Sequence, residues 1–168
     1  MLRKLVASDA AVIAGWAGDL EFCREAGWST DLGRRAHLEF QQRIIALPPP
    51  DLLRLGAEVE GVLVGYVDLH GSEQGTRELG FLIGERSSWG RGLGRRAAAA
   101  GLEYGFGELG LKLIWAEVLE ANQRSMRILR GLGFTETGAG AGGELRGVAS
   151  IHRQFALSDR DWNSRDAR

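Results

Sequence analysis

The residues with the clearest chemical potential in this 168-residue chain form one run, Trp89-Gly90-Arg91-Gly92-Leu93-Gly94-Arg95-Arg96. Its glycines let backbone N–H groups crowd around an anion without side-chain clash. An alanine-rich stretch at about 94–106 is expected to be helical, and a helix start offers unsatisfied N–H groups and partial positive charge. Arg91, Arg95 and Arg96 add full charges. Phosphate or pyrophosphate suits this combination; a flexible loop ahead of a helix is the plainer alternative. Gly92-x-Gly94-x-x-Ala97 formally fits a dinucleotide fingerprint. That fingerprint belongs in a tight turn directly after the first strand of a parallel βαβ unit, whereas about eight loop residues and a hairpin precede it here. No G-x-x-x-x-G-K-[ST] run is present, so nucleotide hydrolysis has no support.

The spacing Gly90-x-Gly92-x-Gly94 is similar to the R/Q-x-x-G-x-G/A motif of the GNAT superfamily of acyl-CoA N-acetyltransferases. Asn122-Gln123-Arg124-Ser125, followed at a matching distance by Leu132-Gly133-Phe134, resembles the family's N-x-x-S/A…L-G-F signature. The specific part of the resemblance covers residues 77–137; the N-terminal third agrees by element order only. Trp89 stands where the motif usually has Arg or Gln, and Leu129 where a catalytic Tyr is often found. Both departures resemble the branch of ribosomal-protein N-terminal acetyltransferases, whose relatives include spermidine and aminoglycoside acetyltransferases.

The resemblance implies acetyl-CoA as co-substrate, no metal, and direct acetyl transfer to a primary amine. The acceptor would be a small molecule, such as a polyamine or aminoglycoside, or a protein N-terminus. Residues 89–96 would hold the pyrophosphate. A bulged strand around Phe81, Leu82 and Ile83 would offer a backbone N–H to the developing oxyanion. Glu117 is the first candidate for the base that deprotonates the amine, and Glu78 the second. For each, a solvated or arginine-paired strand carboxylate is the alternative. Ser125 could donate a hydrogen bond to the departing thiolate, or simply sit in the first turn of a helix. Asn122 is either a plain helix cap or a cap that also contacts the pantetheine arm. Two other function classes compete: a non-catalytic acyl-CoA-binding or regulatory domain on the same fold, and a dinucleotide-binding oxidoreductase.

Positioning these residues requires a particular order of elements. Strands are expected at 2–6, 53–59, 62–69, 77–84, 112–119, 134–137 and 149–157. Helices are expected at 9–16 with Ser8 as cap, from Asp31 to the prolines at 48–50, at 94–106 and at 122–130; residues 19–30 read as irregular or a short helix. Ala11, Ile13 and Trp16 are expected in the core, as is a face of Leu32, Ala36, Phe40 and Ile44. The glycine-rich segment 138–143 reads as a loop. The fold class is therefore α/β (α+β): a central, mostly antiparallel mixed sheet of about seven strands with helices on both faces. One domain is expected over 1–157, followed by a frayed polar tail, 158–168.

Composition narrows the function classes. Lys and Arg number 21 against 22 Asp and Glu, a net charge of −1, which argues against a dedicated nucleic-acid or membrane-surface binder. Cys23 is the single cysteine, so neither an intrachain disulfide nor a cysteine zinc cluster can form; it reads as core filler. The longest charge-free stretch, Ala10 to Gly18, falls far short of the about 20 residues that span a bilayer. Asp9 interrupts a weak export-like start at Arg3-Lys4, so a cytoplasmic protein is expected. His37, His70 and His152 make no metal spacing and read as structural or exposed, and Trp115 as core. Asp19, Glu21 and Glu25 near Phe22 and Trp28 could line an acidic mouth for a cationic amine, or be a solvated face. A homodimer is left open.

Overall fold

The computed structural model describes residues 1–165. In chain order the elements are β1 (Leu2–Lys4), α1 (Asp9–Trp16), α2 (Leu20–Ala26), α3 (Arg34–Ala46), β2 (Leu52–Val59), β3 (Val62–His70), β4 (Thr76–Ile83), α4 (Leu93–Glu103), β5 (Leu113–Leu119), α5 (Gln123–Gly131), β6 (Thr135–Leu145), β7 (Val148–Ser158) and α6 (Asp159–Asn163). The strands form one seven-stranded sheet in the order β1-β2-β3-β4-β5-β7-β6. Every pairing is antiparallel except β4 with β5. The expected fold class is the observed one.

Strand alternation sends neighbouring residues to opposite faces, and each face has its own apolar cluster. Val67, Leu69, Leu79, Ala98, Leu102, Ile114, Leu129 and Phe155 pack beneath α4 and α5. Ile13, Trp16, Phe22, Cys23, Leu63 and Tyr66 pack beneath α1 and α2. Leu63 and Tyr66 share a face despite their odd spacing. The β2–β3 register steps from Ala57↔Gly65 to Glu58↔Leu63, leaving Val64 as an extra residue. That bulge reverses the alternation.

The N-terminal helices depart from expectation. Ser8 is already in helical conformation and makes no side-chain cap bond. The buried Asp9 carboxylate instead accepts the Val6 N–H at 2.8 Å and pairs with Arg3 at 2.7 and 3.0 Å. Within α1 it is Ala10 and Ala14, not the exposed Ala11, that join Ile13 and Trp16 in the interior. In α2, Asp19 caps the helix by accepting the Glu21 and Phe22 N–H groups. Helix α3 begins at Arg34 and buries His37 and Gln41, while Leu32 and Phe40 are exposed. The reason is the polarity of what the helix meets. His37 stacks on Trp28 at 5.5 Å, and Gln41 accepts from Arg54, which also grips Asp68 with two bonds of 2.8 and 2.7 Å. These polar and aromatic partners select a stripe that hydropathy alone passes over.

The second half holds two further differences. The glycine-rich segment 138–143 lies inside β6 and pairs with β7. Register shifts at Glu136/Gly138 and Ala139/Gly142 absorb the extra residues as bulges. Within the segment expected to fray, Ser158 caps α6 by accepting the Asp161 N–H, and Trp162 packs against the main core with its ring 6.4 Å from Phe106. Residues 166–168 of that segment lie outside the described residues. Among the described residues no helix is long and apolar enough to cross a membrane.

Candidate active site

The site begins where the parallel pairing of β4 with β5 ends. Strands β4 and β5 are in register over Thr76–Glu78 and Leu113–Trp115 and no further. Beyond that point the two strands diverge, and a cleft of about 770 Å³ opens between their C-terminal halves. Leu79–Ile83 line one wall and Ala116–Leu119 the other. The expected bulge at Phe81–Ile83 is absent: β4 runs in unbroken register with β3 from Glu78↔His70 to Ile83↔Gly65. Divergence from β5 is what leaves main-chain groups of β4 unpaired on the cleft side.

One end of the cleft is closed by the glycine run and the helix starts beside it. Gly90 and Gly92 hold φ of 75° and 77°, and a side chain at either would meet open space. Their glycine identity therefore serves backbone conformation, not packing. The first bond of α4 runs from the Arg96 N–H to the Gly92 carbonyl, so the N–H groups of Leu93, Gly94 and Arg95 have no helical acceptor. Gly94 differs: a Cβ there would stand 3.2 Å from Ile128, so its size lets α4 and α5 approach. Trp89 donates its indole N–H to the Ile83 carbonyl at 2.9 Å and packs into the second cluster, anchoring the loop to the end of β4. Arg95 lines the cleft, while Arg91 and Arg96 are exposed outside its wall. Two arginines that the sequence reading missed, Arg124 and Arg127 of α5, line it as well. Their spacing of three residues just after a capping Asn was the available signal.

Asn122 caps α5 by accepting the Ser125 N–H at 3.1 Å. Both residues line the cleft, and among the described residues the Ser125 hydroxyl has no hydrogen-bond partner. Leu129, at the position of the family's tyrosine, is buried in the core. The chain's two tyrosines, Tyr66 and Tyr104, stand away from the cleft wall, and burial pushes the Tyr66 phenol up to about 12.

The opposite end is acidic. Glu117, half-buried on β5, accepts a hydrogen bond from Gln154 at 3.3 Å. It fits against the bulged part of β6, where a Cβ on Gly140 would overlap its carboxylate. Glu25, Glu144, Arg146 and His152 complete this end, and Arg146 at the β6–β7 turn pairs with Glu25 of α2 across it. Glu78 does not line the cleft; it lies beside His70, and burial raises its carboxyl above the usual range. Of the three acids expected at the mouth, Glu25 alone lines it. Asp19 pairs with Arg86 at a separate depression of about 540 Å³, and Glu21, half-buried, stands beside Arg24 on its own helix. Trp115 shares the Glu117 face and is half-buried rather than core. Among the described residues, no three His, Cys, Asp or Glu side chains come together as a metal site.

The family model of the acetyltransferase (GNAT) domain matches residues 1–135. The chain is 28% identical over 138 residues to alpha/beta-tubulin-N-acetyltransferase 9 of Homo sapiens, covering 80% of this chain and 61% of that protein. It spans less than two thirds of the length of the curated relatives it matches. Its fold is similar to that of spermidine N-acetyltransferase from Vibrio cholerae, solved with CoA and spermine, with a TM-score of 0.81 at 18% identity over 97% of each chain. An aminoglycoside acetyltransferase solved with coenzyme A gives 0.78 at 17% identity, covering 98% of this chain and 97% of that one.

Proposed function

Because the chain belongs to the GNAT acetyltransferase family, we propose that it moves an acetyl group from acetyl-CoA to a primary amine. The observation that carries this reading is the single cleft joining a cationic, N–H-rich end to a carboxylate end through the gap between β4 and β5. The residues present fit the donor. Gly90 and Gly92 shape the loop, the N–H groups of Leu93, Gly94 and Arg95 face a pyrophosphate, and Arg95, Arg124 and Arg127 add charge. Main-chain groups of Phe81 to Ile83 receive the pantetheine arm and polarise the acetyl carbonyl. Acetyl-CoA, when bound, supplies an activated thioester.

The chain's own groups do the rest. An alkyl ammonium titrates near 10.4 and an α-amine near ~7.7–8.0, so the acceptor arrives largely protonated. Glu117 draws it in and takes a proton, directly or through water. Ser125 donates a hydrogen bond to the leaving sulfur, keeping its own proton. A thiol near ~8.5 leaves readily at neutral pH, which is why the cleft can work without a tyrosine acid. Trp89 and Leu129 support a place near the ribosomal-protein N-terminal acetyltransferase branch. The acceptor is a polyamine or aminoglycoside-like molecule, or a protein N-terminus. A purely acyl-CoA-binding role is not favoured, since a half-buried carboxylate and an unpartnered hydroxyl line the same cleft.

The test has two steps. Acetyl-CoA and CoA, but not NAD, should raise the melting temperature. Thiol release should then appear with at least one of spermidine, an aminoglycoside or a short peptide with a free N-terminus. Binding without release across a broad amine panel would favour the acyl-CoA-binding role.

A further inference from the structure

At the acidic end of the cleft His152 stands close to Glu117 in the strand register. In the β5–β7 pairing Glu117 faces Gln154 and Leu119 faces His152. His152 is thus on the Glu117 face, diagonal to that carboxylate across the strand pair. Diagonal neighbours lie ~7–8 Å apart along the backbone, within reach of long side chains that extend toward each other over the same face. His152 lines the cleft. Its Nδ1 is 2.9 Å from the Ala141 carbonyl oxygen. A carbonyl only accepts, so Nδ1 carries the hydrogen, and in the neutral ring Nε2 presents a lone pair. Among the described residues, Nε2 has no protein partner.

The bulge in β6 produces this arrangement. The register shift between Ala139 and Gly142 leaves Gly140 and Ala141 without strand partners. Gly140 makes room for the Glu117 carboxylate, and the freed Ala141 carbonyl fixes the His152 ring. Gly143 gives that ring its space, since a Cβ there would stand 3.0 Å from Cε1. The charged groups that line this end of the cleft with the ring are Glu117 from β5, Glu144 and Arg146 from the β6–β7 hairpin, and Glu25 from α2.

We propose that His152 is the second member of a proton relay, receiving at Nε2 the proton that Glu117 takes from the acceptor amine and passing it to solvent at the cleft mouth. This rests on the acetyl-transfer reading above. A neutral imidazole nitrogen can accept a proton and hand it on to water, while the carboxylate's charge attracts the ammonium. The balance closes. The ammonium gives one proton to Glu117, then His152, then water; the N–H proton lost as the amide forms goes to the departing thiolate.

The test uses the full chain. In nitrogen-15 spectra, with the ring assigned through His152→Asn, the hydrogen is expected on Nδ1; a hydrogen on Nε2 alone overturns the relay. In kinetics with acetyl-CoA and an accepted amine, His152→Asn keeps a donor for Ala141 but removes Nε2. It should lower kcat about 100-fold, leave acetyl-CoA affinity unchanged, and abolish the acid limb of the kcat profile that the parent chain shows. His152→Gln serves as a second variant. A folded His152→Asn protein whose kcat stays within about threefold at every pH overturns the relay alone. A parent chain that transfers acetyl to no amine overturns the relay together with the acetyl-transfer reading.

Discussion

Glu117 and Glu78 look alike in the sequence, each a carboxylate on a strand, and the fold separates them. Glu117 lines the cleft and accepts from Gln154, whereas Glu78 stands outside it beside His70. Glu117→Gln should lower kcat by about 100-fold or more at neutral pH, with partial recovery at high pH as free amine becomes abundant. A rise in KM with kcat intact would instead make Glu117 a site for the cation only. Glu78 has a different consequence. Burial raises its carboxyl above the ordinary value of 4.5, ahead of the opposing effect of His70. A raised acid binds its proton more tightly in the folded chain, so stability is complete at low pH and declines as pH rises through the window above 4.5. Glu78→Gln should therefore melt higher than the parent near pH 7 and equal to it near ~pH 4, with turnover unchanged. Equal melting curves at both pH values would contradict that account.

Among the elements, the start of α4 and the bulge of β6 position the two ends of the cleft. Gly94 packs toward Ile128, so a substitution there combines crowding with any effect of charge. Gly94→Ala isolates the crowding and should weaken acetyl-CoA binding by less than about fivefold; Gly94→Asp adds a carboxylate near the unsatisfied N–H groups and should weaken it ~100-fold or more. Similar affinities for both variants, measured by calorimetry, would remove the pyrophosphate from this loop. At the other end Gly140 borders Glu117 so closely that any Cβ must displace the carboxylate. Gly140→Ala should reduce kcat at least ~10-fold through misplacement of the base, with acetyl-CoA affinity retained. The glycine run was legible because its chemistry is local: positive φ, free N–H groups and adjacent arginines all follow from neighbouring residues. The β6 bulge was not. Glycine-rich sequence favours a loop, and only pairing with β7 makes that segment a strand.

For the molecule as a whole, the cleft depends on strands β4 and β5 meeting at Glu78/Trp115 and then parting, with a separate apolar cluster holding helices to each face. Helix α6 belongs to this assembly, as Trp162 packs beside Phe106. Trp162→Ala should cost about 1–2 kcal/mol, in keeping with a half-buried ring, and lower the denaturation midpoint without changing acetyl-CoA affinity. An unchanged midpoint would mean that α6 contributes nothing to the core. The family, the strand and helix order from Arg77 to Leu157 and the glycine loop could be read from the chain itself, because short-range chemistry and periodicity encode them. The tertiary structure alone decided which polar residues α3 buries, which of two strand carboxylates enters the cleft, and that His152 lies diagonal to Glu117 with its Nδ1 held to the Ala141 carbonyl. Those outcomes depend on strand register and on contacts between residues far apart in sequence, and a one-residue change of register would carry each side chain to the other face of the sheet.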